Sequence, residues 1–334
     1  MAESLIKVKN LVKYFPIKSG VLQRVTGYVK AVDDVSFEIA RGKTMGLVGE
    51  SGCGKTTIGR TILRLYEATS GTVEYDNLNL FDVSRSELRK LRPQIQMIFQ
   101  DPYSSLSPRM PVGEIIGEAV REHRIVPPDQ YRSYIIETME QCGLQKHQID
   151  RYPHEFSGGQ RQRICIARAI ALKPRFIVAD EPVSALDVSI QAQIINLMTD
   201  LQNEMDLTYL FISHDLSVVE HISDFVGVMY LGDLVEYGSR DRIFAKPLHP
   251  YTKALFSAVP VPDPARKMSR IILEGDIPSP ANPPSGCKFH TRCPMRMPIC
   301  SEEIPQTITY PNGHQVACHL YTKDQPEAGD TDES

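Results

Sequence analysis

The feature that most constrains the fold is the segment from Gly49 to Thr56, which matches the pattern G-x-x-x-x-G-K-[ST]. An apolar run, Met45 to Val48, precedes it and predicts a buried strand. Residues Thr57 to Tyr66 follow, with apolar side chains at helical spacing. A strand, a glycine-rich turn and a helix form the context in which this pattern binds phosphate. The sequence therefore predicts an α/β fold of the P-loop NTPase class.

Each part of this loop has a role in holding a triphosphate. The glycines let successive backbone N–H groups turn inward as an anion-binding nest, and the following helix adds the positive end of its dipole. Lys55 is placed to reach the β- and γ-phosphates, and the Thr56 hydroxyl to hold Mg²⁺. The candidate ATP-binding residues here are Gly49, Glu50, Ser51, Gly52, Cys53, Gly54, Lys55, Thr56 and Thr57.

Composition narrows the classes of function. The 334 residues suffice for one large α/β domain with an addition, and a formal net charge of −4 is not typical of a nucleic-acid-binding surface. No run of 18 apolar residues occurs, and Met1 is not followed by a basic and then an apolar segment. We therefore expect neither a membrane span nor a signal peptide. A cytosolic chain would not pair its seven cysteines as structural disulfides.

Hydrophobic patterning predicts an α/β core with a helical insert. Predicted strands are Ile6–Phe15, Ala31–Ile39, Gly71–Leu80 with turn residues Asp76-Asn77 inside it, Ile95–Phe99, Phe176–Ala179 and Tyr209–Ile212, followed by a hairpin over Phe225–Tyr237. Predicted helices are Glu114–His123, Gln130–Cys142, one after Ser157, and one over residues 190–205. The polar stretch Pro16 to Lys30 is predicted to be a loop.

Two acidic residues follow the apolar strand Phe176–Ala179. Asp180 is placed to hold Mg²⁺, directly or through water, and Glu181 to activate water against the γ-phosphorus. Without other motifs, this pair would be interpreted more simply as a solvated strand end.

Four further motifs accompany the acidic pair in a fixed order. Gln100 ends a predicted strand, Ser157 to Gln160 opens a helix, Asp187 follows the acidic pair, and His214 ends another strand. With the loop at Gly49 to Thr56, these motifs make residues 5–240 resemble the ATP-binding subunit of an ABC transporter.

The resemblance implies a role for each motif. Gln100 matches the Q-loop glutamine that reaches Mg²⁺ and the attacking water, and Glu181 matches the catalytic glutamate. His214 matches the switch histidine that contacts the γ-phosphate. The implied Mg²⁺ ligands are Thr56, Gln100 and Asp180.

An aromatic residue near the end of the first strand stacks on adenine in this family. Phe15 is our first candidate and Tyr14 the second. Burial of Phe15 in the core is the alternative.

Two chains of this family meet head to tail. The signature residues Ser157, Gly158, Gly159 and Gln160 of one chain would then close over the ATP held by the other. Ser157 is a good helix N-cap, and the glycines allow backbone N–H groups close to a phosphate. Asp187 would couple the two sites, and hydrolysis would open the dimer. The loop Asp101 to Arg109 would receive a coupling helix from a membrane subunit, with a plain surface loop as the alternative.

Composition changes near residue 245, after which nine prolines cluster before residue 285 and regular secondary structure is expected to be scarce. The stretches His249 to Leu255 and Pro278 to Cys287 resemble the dipeptide/oligopeptide branch of the family. The resemblance implies an ATPase that powers peptide import through two separate membrane permeases at the cytoplasmic face of the membrane. It further implies a homologous ATPase partner, with a heterodimer favoured over a homodimer, and an extracytoplasmic peptide-binding protein that acts indirectly. Import of nickel or another small solute, and a soluble non-transport ATPase, are the alternatives.

Four cysteines lie in this C-terminal part at the spacing C-x5-C-x6-C-x17-C. They are Cys287, Cys293, Cys300 and Cys318. Four thiolates in a segment with little core of its own suggest a metal staple, and zinc prefers closer C-x2–4-C pairs. The resemblance implies a [4Fe–4S] cluster, while zinc and unligated cysteines remain alternatives. The scattered Cys53, Cys142 and Cys165 are interpreted as structural residues.

The predicted organisation has three parts. An ATP-binding domain covers residues 1–245, with a helical subdomain inserted at about 101–172. A C-terminal extension with the four-cysteine site covers residues 246–323, and an acidic, disordered tail covers residues 324–334.

Overall fold

A computed structural model describes residues 3–21, 23–258 and 271–321. Its strands are β1 Ser4–Ser19, β2 Arg24–Ala40, β3 Thr44–Val48, β4 Ser70–Tyr75, β5 Leu78–Asn79, β6 Ile95–Ile98, β7 Phe176–Asp180, β8 Thr208–Ile212, β9 Phe225–Tyr230, β10 Asp233–Ser239, β11 Thr307–Thr309 and β12 Gln315–Ala317. Its α-helices are α1 Lys55–Ile62, α2 Arg85–Leu91, α3 Val112–Glu122, α4 Tyr131–Gln141, α5 Gly158–Ile170, α6 Val188–Met205, α7 Leu216–Ile222, α8 Arg240–Ala245, α9 Pro250–Ser257 and α10 Ile299–Glu302. Short 3₁₀ helices lie at Arg92–Gln94, Pro128–Gln130, Lys146–Gln148 and Pro153–Glu155.

The described residues divide into two compact units. The first unit draws on Met1–Lys7, Glu38–Thr44 and Glu74–Ser213, and the second on Val8–Phe37, Met45–Val73 and His214–Ser334. Strands β1, β2, β3 and β4 therefore supply residues to both units.

The first unit is built on parallel strands in the order β8-β7-β6, with Phe176 opposite both Ile95 and Thr208. Every residue of β7 and β8 is buried. A parallel strand is covered on both faces, which explains why these two segments are almost continuously apolar. Helix α3 packs against α4 and α5, and each of the three contributes a fully buried isoleucine, at Ile116, Ile135 and Ile164.

The second unit contains strands in the order β11-β12-β10-β9-β3. Strand β3 is parallel to β9, whereas β10, β12 and β11 follow as antiparallel neighbours. The turn between β9 and β10 uses left-handed backbone at Leu231 and Gly232. The strand β3 leads directly into the loop that precedes α1, so the sheet fixes where that loop begins.

Most of the predicted core elements are confirmed. The buried strand before the loop is β3, and the predicted hairpin is formed by β9 and β10. The predicted turn at Asp76 and Asn77 divides one segment into β4 and β5, and both residues have positive φ. The three helices of the insert are α3, α4 and α5.

Two predictions of secondary structure are wrong. Most of the expected loop Pro16 to Lys30 is strand, because β1 runs to Ser19 and β2 starts at Arg24. This ribbon is largely exposed, so its polar side chains resemble those of a loop. The helix predicted to reach Tyr66 ends at Ile62, since Arg64 adopts left-handed backbone, and Leu65 is exposed.

Regular structure is scarce where the prolines cluster, as predicted: among the described residues of 247–284, only those of α9 form a helix or strand. Helix α10 and strands β11 and β12 form after this stretch. A small cluster of Leu248, Ile308, Tyr310, Val316 and Cys318 gives them a core. The predicted acidic tail over residues 324–334 lies outside the described residues. Within the part of the chain that is described, no helix combines the length and apolar character needed to cross a membrane.

Candidate functional site

The loop between β3 and α1 requires glycine at two positions. Gly54, the N-cap residue of α1, has φ 110°, and a Cβ there would lie 2.0 Å from the carbonyl oxygen of Ala31. Gly49 has φ 149°, and a Cβ there would lie 2.3 Å from the carbonyl oxygen of Met229. Both contacts are with backbone and cannot relax easily, so the neighbouring strands hold the loop in the shape that its glycines permit.

Lys55 is held inside this loop. Its Nζ donates to the carbonyl oxygens of Gly49 at 2.7 Å and Glu50 at 3.0 Å, and the residue is 5% exposed. The ammonium group is therefore already positioned where the loop curves, as binding of a phosphate requires. Burial raises the pKa of the Cys53 thiol although Lys55 opposes the change, so this cysteine stays neutral.

Glu50 is tied to the C-terminal part of the chain by two contacts. Its backbone N–H donates to the Tyr251 hydroxyl at 2.9 Å. Its carboxylate accepts two hydrogen bonds from the Arg292 guanidinium, at 2.9 Å and 3.2 Å. Burial alone lowers the pKa of Arg292, but the bonds to Glu50 and Tyr230 outweigh it and raise that pKa, so the guanidinium is charged.

These two partners of Glu50 are functional candidates that sequence reasoning did not identify. Tyr251 belongs to the stretch His249 to Leu255, which indicated a branch of the family but not a contact. Arg292 precedes Cys293, and the pattern of cysteines drew attention to the thiols rather than to the residues between them.

The structure separates the two candidates for the adenine-stacking aromatic. Phe15 is partly exposed, meets the ring of Tyr66 edge-on at 5.4 Å and carries the Lys13 ammonium 4.7 Å from its centroid. The Tyr14 hydroxyl instead donates to the Asp33 carboxylate, which also receives a hydrogen bond from Lys288 at 2.9 Å. Burial and this bond raise the pKa of Tyr14. Of the two candidates, Tyr14 is thus held through its hydroxyl group, whereas Phe15 makes contacts through its ring alone.

In the first unit, the acidic pair lies at the end of β7. Asp180 is its last residue and is fully buried, and Glu181 follows with left-handed backbone at φ 47°. The Gln100 side-chain amide, at the end of the neighbouring strand β6, donates to the Glu181 carboxylate at 2.8 Å. The structure thus brings together the predicted base and the predicted Q-loop glutamine, which are 81 positions apart in sequence.

The signature segment forms a reciprocal cap at the start of α5. The Ser157 hydroxyl accepts from the Gln160 backbone N–H at 3.4 Å, and the Gln160 side chain accepts from the Ser157 N–H at 3.0 Å. Ser157 and Gly158 are exposed, while Gly159 and Gln160 are partly buried. Asp187 is the exposed N-cap residue of α6.

The remaining predicted site residues lie on connecting segments. Thr56 is partly buried in the first turn of α1, and His214 is exposed between β8 and the N-cap residue Asp215 of α7. In the loop Asp101 to Arg109, Tyr103 is 70% exposed and its ring lies 5.0 Å from the Arg161 guanidinium. Lys55, Thr56 and His214 belong to the second unit, whereas Gln100, Glu181 and the signature segment belong to the first.

The four C-terminal cysteines lie near one another. The backbone N–H of Cys287 donates to the carbonyl oxygen of Cys300 at 2.8 Å. Burial raises the pKa of Cys287 to about 11 and that of Cys318 to about 12. Cys293 and Cys300 add to the raised pKa of Cys287, and these three cysteines add to the raised pKa of Cys318. Across the described residues, no group of three or more His, Cys, Asp or Glu side chains is arranged to hold a metal ion. The described residues therefore give no support to the predicted metal site, whether it is taken as a [4Fe–4S] cluster or as zinc.

Comparison with known proteins gives close relatives along almost the whole chain. The oligopeptide transport ATP-binding protein AppF of Bacillus subtilis is 54% identical over 96% of this chain and 98% of its own. The putative oligopeptide transport ATP-binding protein YkfD of the same organism is 56% identical over 88% of this chain and 90% of its own. The dimeric, post-hydrolysis structure of the ATP-binding cassette MJ0796 bound to ADP and Pi has a TM-score of 0.63 and 28% identity, covering 70% of this chain and 98% of that one.

Two protein-family models match parts of the sequence. The model described as "ABC transporter" matches residues 32–184, which include the loop at Gly49 to Thr56 and the acidic pair. The model described as "Oligopeptide/dipeptide transporter, C-terminal region" matches residues 235–300, which include both Tyr251 and Arg292.

Proposed function

This chain belongs to the ABC transporter ATP-binding family, in its oligopeptide/dipeptide branch, and from that membership we propose that it is the ATPase subunit of a peptide importer. It binds ATP with Mg²⁺ and couples hydrolysis to the passage of dipeptides or oligopeptides through separate membrane subunits. The observation that carries the peptide cargo is the match of residues 235–300 to the C-terminal region of oligopeptide/dipeptide transporters. The observation that carries nucleotide binding is Lys55, buried against the carbonyl groups of its own loop.

The chemistry follows from the functional groups of each motif. The loop N–H groups and Lys55 take the phosphates, and Thr56, Gln100 and Asp180 hold Mg²⁺. Glu181 accepts the proton of the attacking water, and Gln100, hydrogen-bonded to it, orients that carboxylate. His214 contacts the γ-phosphate, and Phe15 stacks on adenine.

A second ATPase completes the site. Ser157 to Gln160 forms the N-terminus of α5, and a helix N-terminus suits a phosphate approaching from another chain. We assign this segment, together with Asp187, to the ATP held by a homologous subunit in a heterodimer. The pair associates with two permeases at the cytoplasmic face of the membrane and is served by an external peptide-binding protein. The loop Asp101 to Arg109 is the assigned contact with the permeases.

The proposed division of the chain keeps residues 1–245 as the ATP-binding domain, with a helical subdomain at about 101–172, and residues 246–323 as the extension. The extension is assigned to the peptide branch because residues 235–300 match the C-terminal region of oligopeptide/dipeptide transporters.

The four-cysteine site is proposed to hold a [4Fe–4S] cluster. The proposal rests on the resemblance to the peptide branch and on the presence of Cys287, Cys293, Cys300 and Cys318 in the extension, because such a cluster is held by four thiolates. Such a cluster would act as a staple for the extension. The test is to measure iron and acid-labile sulfide in anaerobically purified protein. We expect both to be present and to be lost in a Cys300→Ser variant. Iron-free protein of full stability would contradict the proposal.

Reconstitution tests the transport function. The chain, a second ATPase and the two permeases from the same gene neighbourhood are placed in proteoliposomes, and uptake of a labelled dipeptide and a labelled pentapeptide is measured with and without ATP. ATP-dependent uptake that is lost with Lys55→Ala is the expected result. Uptake of a nickel chelate without peptide uptake would contradict the cargo but not the ATPase role, and co-purification with RNA or DNA instead of permeases would contradict the transport role.

A further inference from the structure

We propose that Arg292 is a positioning residue for ATP binding: it neutralises Glu50 in the phosphate-binding loop and thereby couples the four-cysteine segment to nucleotide affinity. This inference rests on the proposed ATPase function and adds a residue to its site. It concerns only contacts within the second unit.

The contact between the two side chains has the geometry of a strong ion pair. Two nitrogens of Arg292 meet the two carboxylate oxygens of Glu50 at 2.9 Å and 3.2 Å, which is the bidentate arrangement that arginine makes with carboxylates. The Arg292 side chain is 8% exposed and the Glu50 side chain 24%. Solvent and salt screen such a pair less than an exposed one. The guanidinium also lies 6.0 Å from the Tyr230 ring centroid.

Glu50 is held at each of its polar groups. Its N–H donates to Tyr251, its carbonyl oxygen accepts from Lys55, and its carboxylate accepts from Arg292. The lysine that is assigned to the phosphates and the arginine from the extension therefore act on the same loop residue. A displacement of Glu50 would disturb the lysine as well.

The charge of Glu50 creates the need for Arg292. A carboxylate within a loop that binds a triphosphate repels the ligand, and the adjacent guanidinium cancels that repulsion. When Arg292 is removed, one uncompensated negative charge remains beside the phosphate site. When both charges are removed, the repulsion disappears too.

The backbone around Arg292 links this pair to the thiols. The N–H groups of His290, Arg292 and Cys293 donate to the carbonyl oxygens three residues earlier, at 2.9, 3.0 and 3.4 Å, so residues 287–293 form consecutive tight turns. Phe289 anchors these turns: it is 1% exposed and its ring lies 5.2 Å from that of Tyr230 and 5.4 Å from that of Tyr251. The position of Arg292 is thus set by the segment that begins and ends with a cysteine.

The test is equilibrium binding of ATP to the purified full-length chain. Arg292→Gln is expected to weaken binding about tenfold, a typical coupling for contacting charged residues. Glu50→Gln is expected to bind at least as tightly as the original protein, and the double variant Glu50→Gln/Arg292→Gln to return to within about threefold of it. The deficit of Arg292→Gln should shrink as ionic strength rises, which loss of folded structure would not produce. Arg132→Gln, which breaks an exposed pair with Asp150, is the matched control and should bind ATP normally.

Two results would overturn the inference: unchanged affinity in Arg292→Gln, or a double variant that binds no better than Arg292→Gln. Should Arg292→Gln not fold, Glu50→Gln decides alone, because weakened binding in that variant contradicts the charge argument. If the original protein does not bind ATP, the proposed function fails instead, so the two failures are distinguishable.

Discussion

The Gln100 side-chain amide donates to the Glu181 carboxylate across 2.8 Å, although neither residue lies in a regular element. The backbone of Glu181 is left-handed, and its N–H donates to the carbonyl oxygen of Ile212 at 2.9 Å. A non-glycine residue in this conformation persists only where its surroundings impose it. The sheet therefore fixes the direction of this carboxylate, and the Gln100 amide donates a hydrogen bond to it.

Glu181→Gln should abolish hydrolysis without preventing ATP binding. The amide keeps the shape of the side chain and cannot accept a proton, so we expect kcat to fall by about 10²–10⁴-fold. The dissociation constant of ATP should stay within about threefold of the original value. Glu137→Gln, the same substitution at an exposed position of α4, is the control for both measurements. Hydrolysis by Glu181→Gln at the original rate would show that another group is the base.

Phe15→Ala should weaken ATP binding, whereas Tyr14→Ala should not. Stacking of a base on an aromatic side chain contributes about 1–3 kcal/mol, which corresponds to a loss of affinity of about 5- to 150-fold. The Tyr14 hydroxyl donates to Asp33, so the loss of this side chain is expected to lower the midpoint of thermal unfolding rather than the affinity for ATP. Titration with ATP and with GTP would show the role in base recognition. The reverse pattern would assign the adenine contact to Tyr14.

Acid should destabilise the protein through His249. This fully buried residue is the N-cap of α9, and its Nδ1 accepts from the Tyr251 N–H at 3.1 Å, which requires a neutral ring. Burial lowers its pKa from 6.5 to about 4; Glu236 opposes this change and Lys253 supports it.

The sign of this effect follows from proton uptake. The unfolded chain protonates His249 near its ordinary pKa and the folded chain only near pH 4, so the stabilisation is complete above about pH 6.5 and is lost as pH falls toward about 4. We expect on the order of 3 kcal/mol from this group. His249→Asn keeps an acceptor for the cap and should show a shallower decline in unfolding free energy between about pH 7 and about pH 4.5. Identical pH profiles would contradict the assignment.

Glu236→Gln should destabilise the extension. The Glu236 carboxylate accepts from the backbone N–H groups of Leu248 at 2.7 Å and His249 at 2.9 Å, and from the His314 ring at 2.8 Å. Glutamine offers one acceptor oxygen and would direct its NH₂ group at a donor, which should cost about 2–4 kcal/mol in the free energy of unfolding. Urea unfolding measures it, with Glu204→Gln on the exposed side of α6 as control. Equal unfolding midpoints would mean that water replaces the lost bonds.

Local patterns predicted the parts of the structure that depend on neighbouring residues. The loop at Gly49 to Thr56 is predicted from its own glycines and the adjacent strand. Strands β7 and β8 are predicted from their apolar runs. Helix α2 also has a local signal, the capping box of Ser84 and Glu87, but hydrophobic periodicity does not reveal it.

Contacts between residues that are far apart in sequence could not be predicted from local patterns. Glu50 and Arg292 are 242 positions apart, and nothing in either neighbourhood specifies the other. The ribbon between β1 and β2 was missed for a different reason: strands that bury little carry no alternation of apolar residues. The C-terminal strands were hidden by the prolines around them, although a short strand needs only a few proline-free positions.

Strand β12 lies beside β10, with Val316 opposite Glu236, and β11 lies beyond it. Without this neighbour, β10 would present a row of unpaired N–H and C=O groups, the kind of border along which proteins aggregate. The extension therefore covers this edge of the sheet in the second unit. A chain shortened after Ala245 would expose β10 as an edge strand, and we expect such a chain to aggregate through that edge.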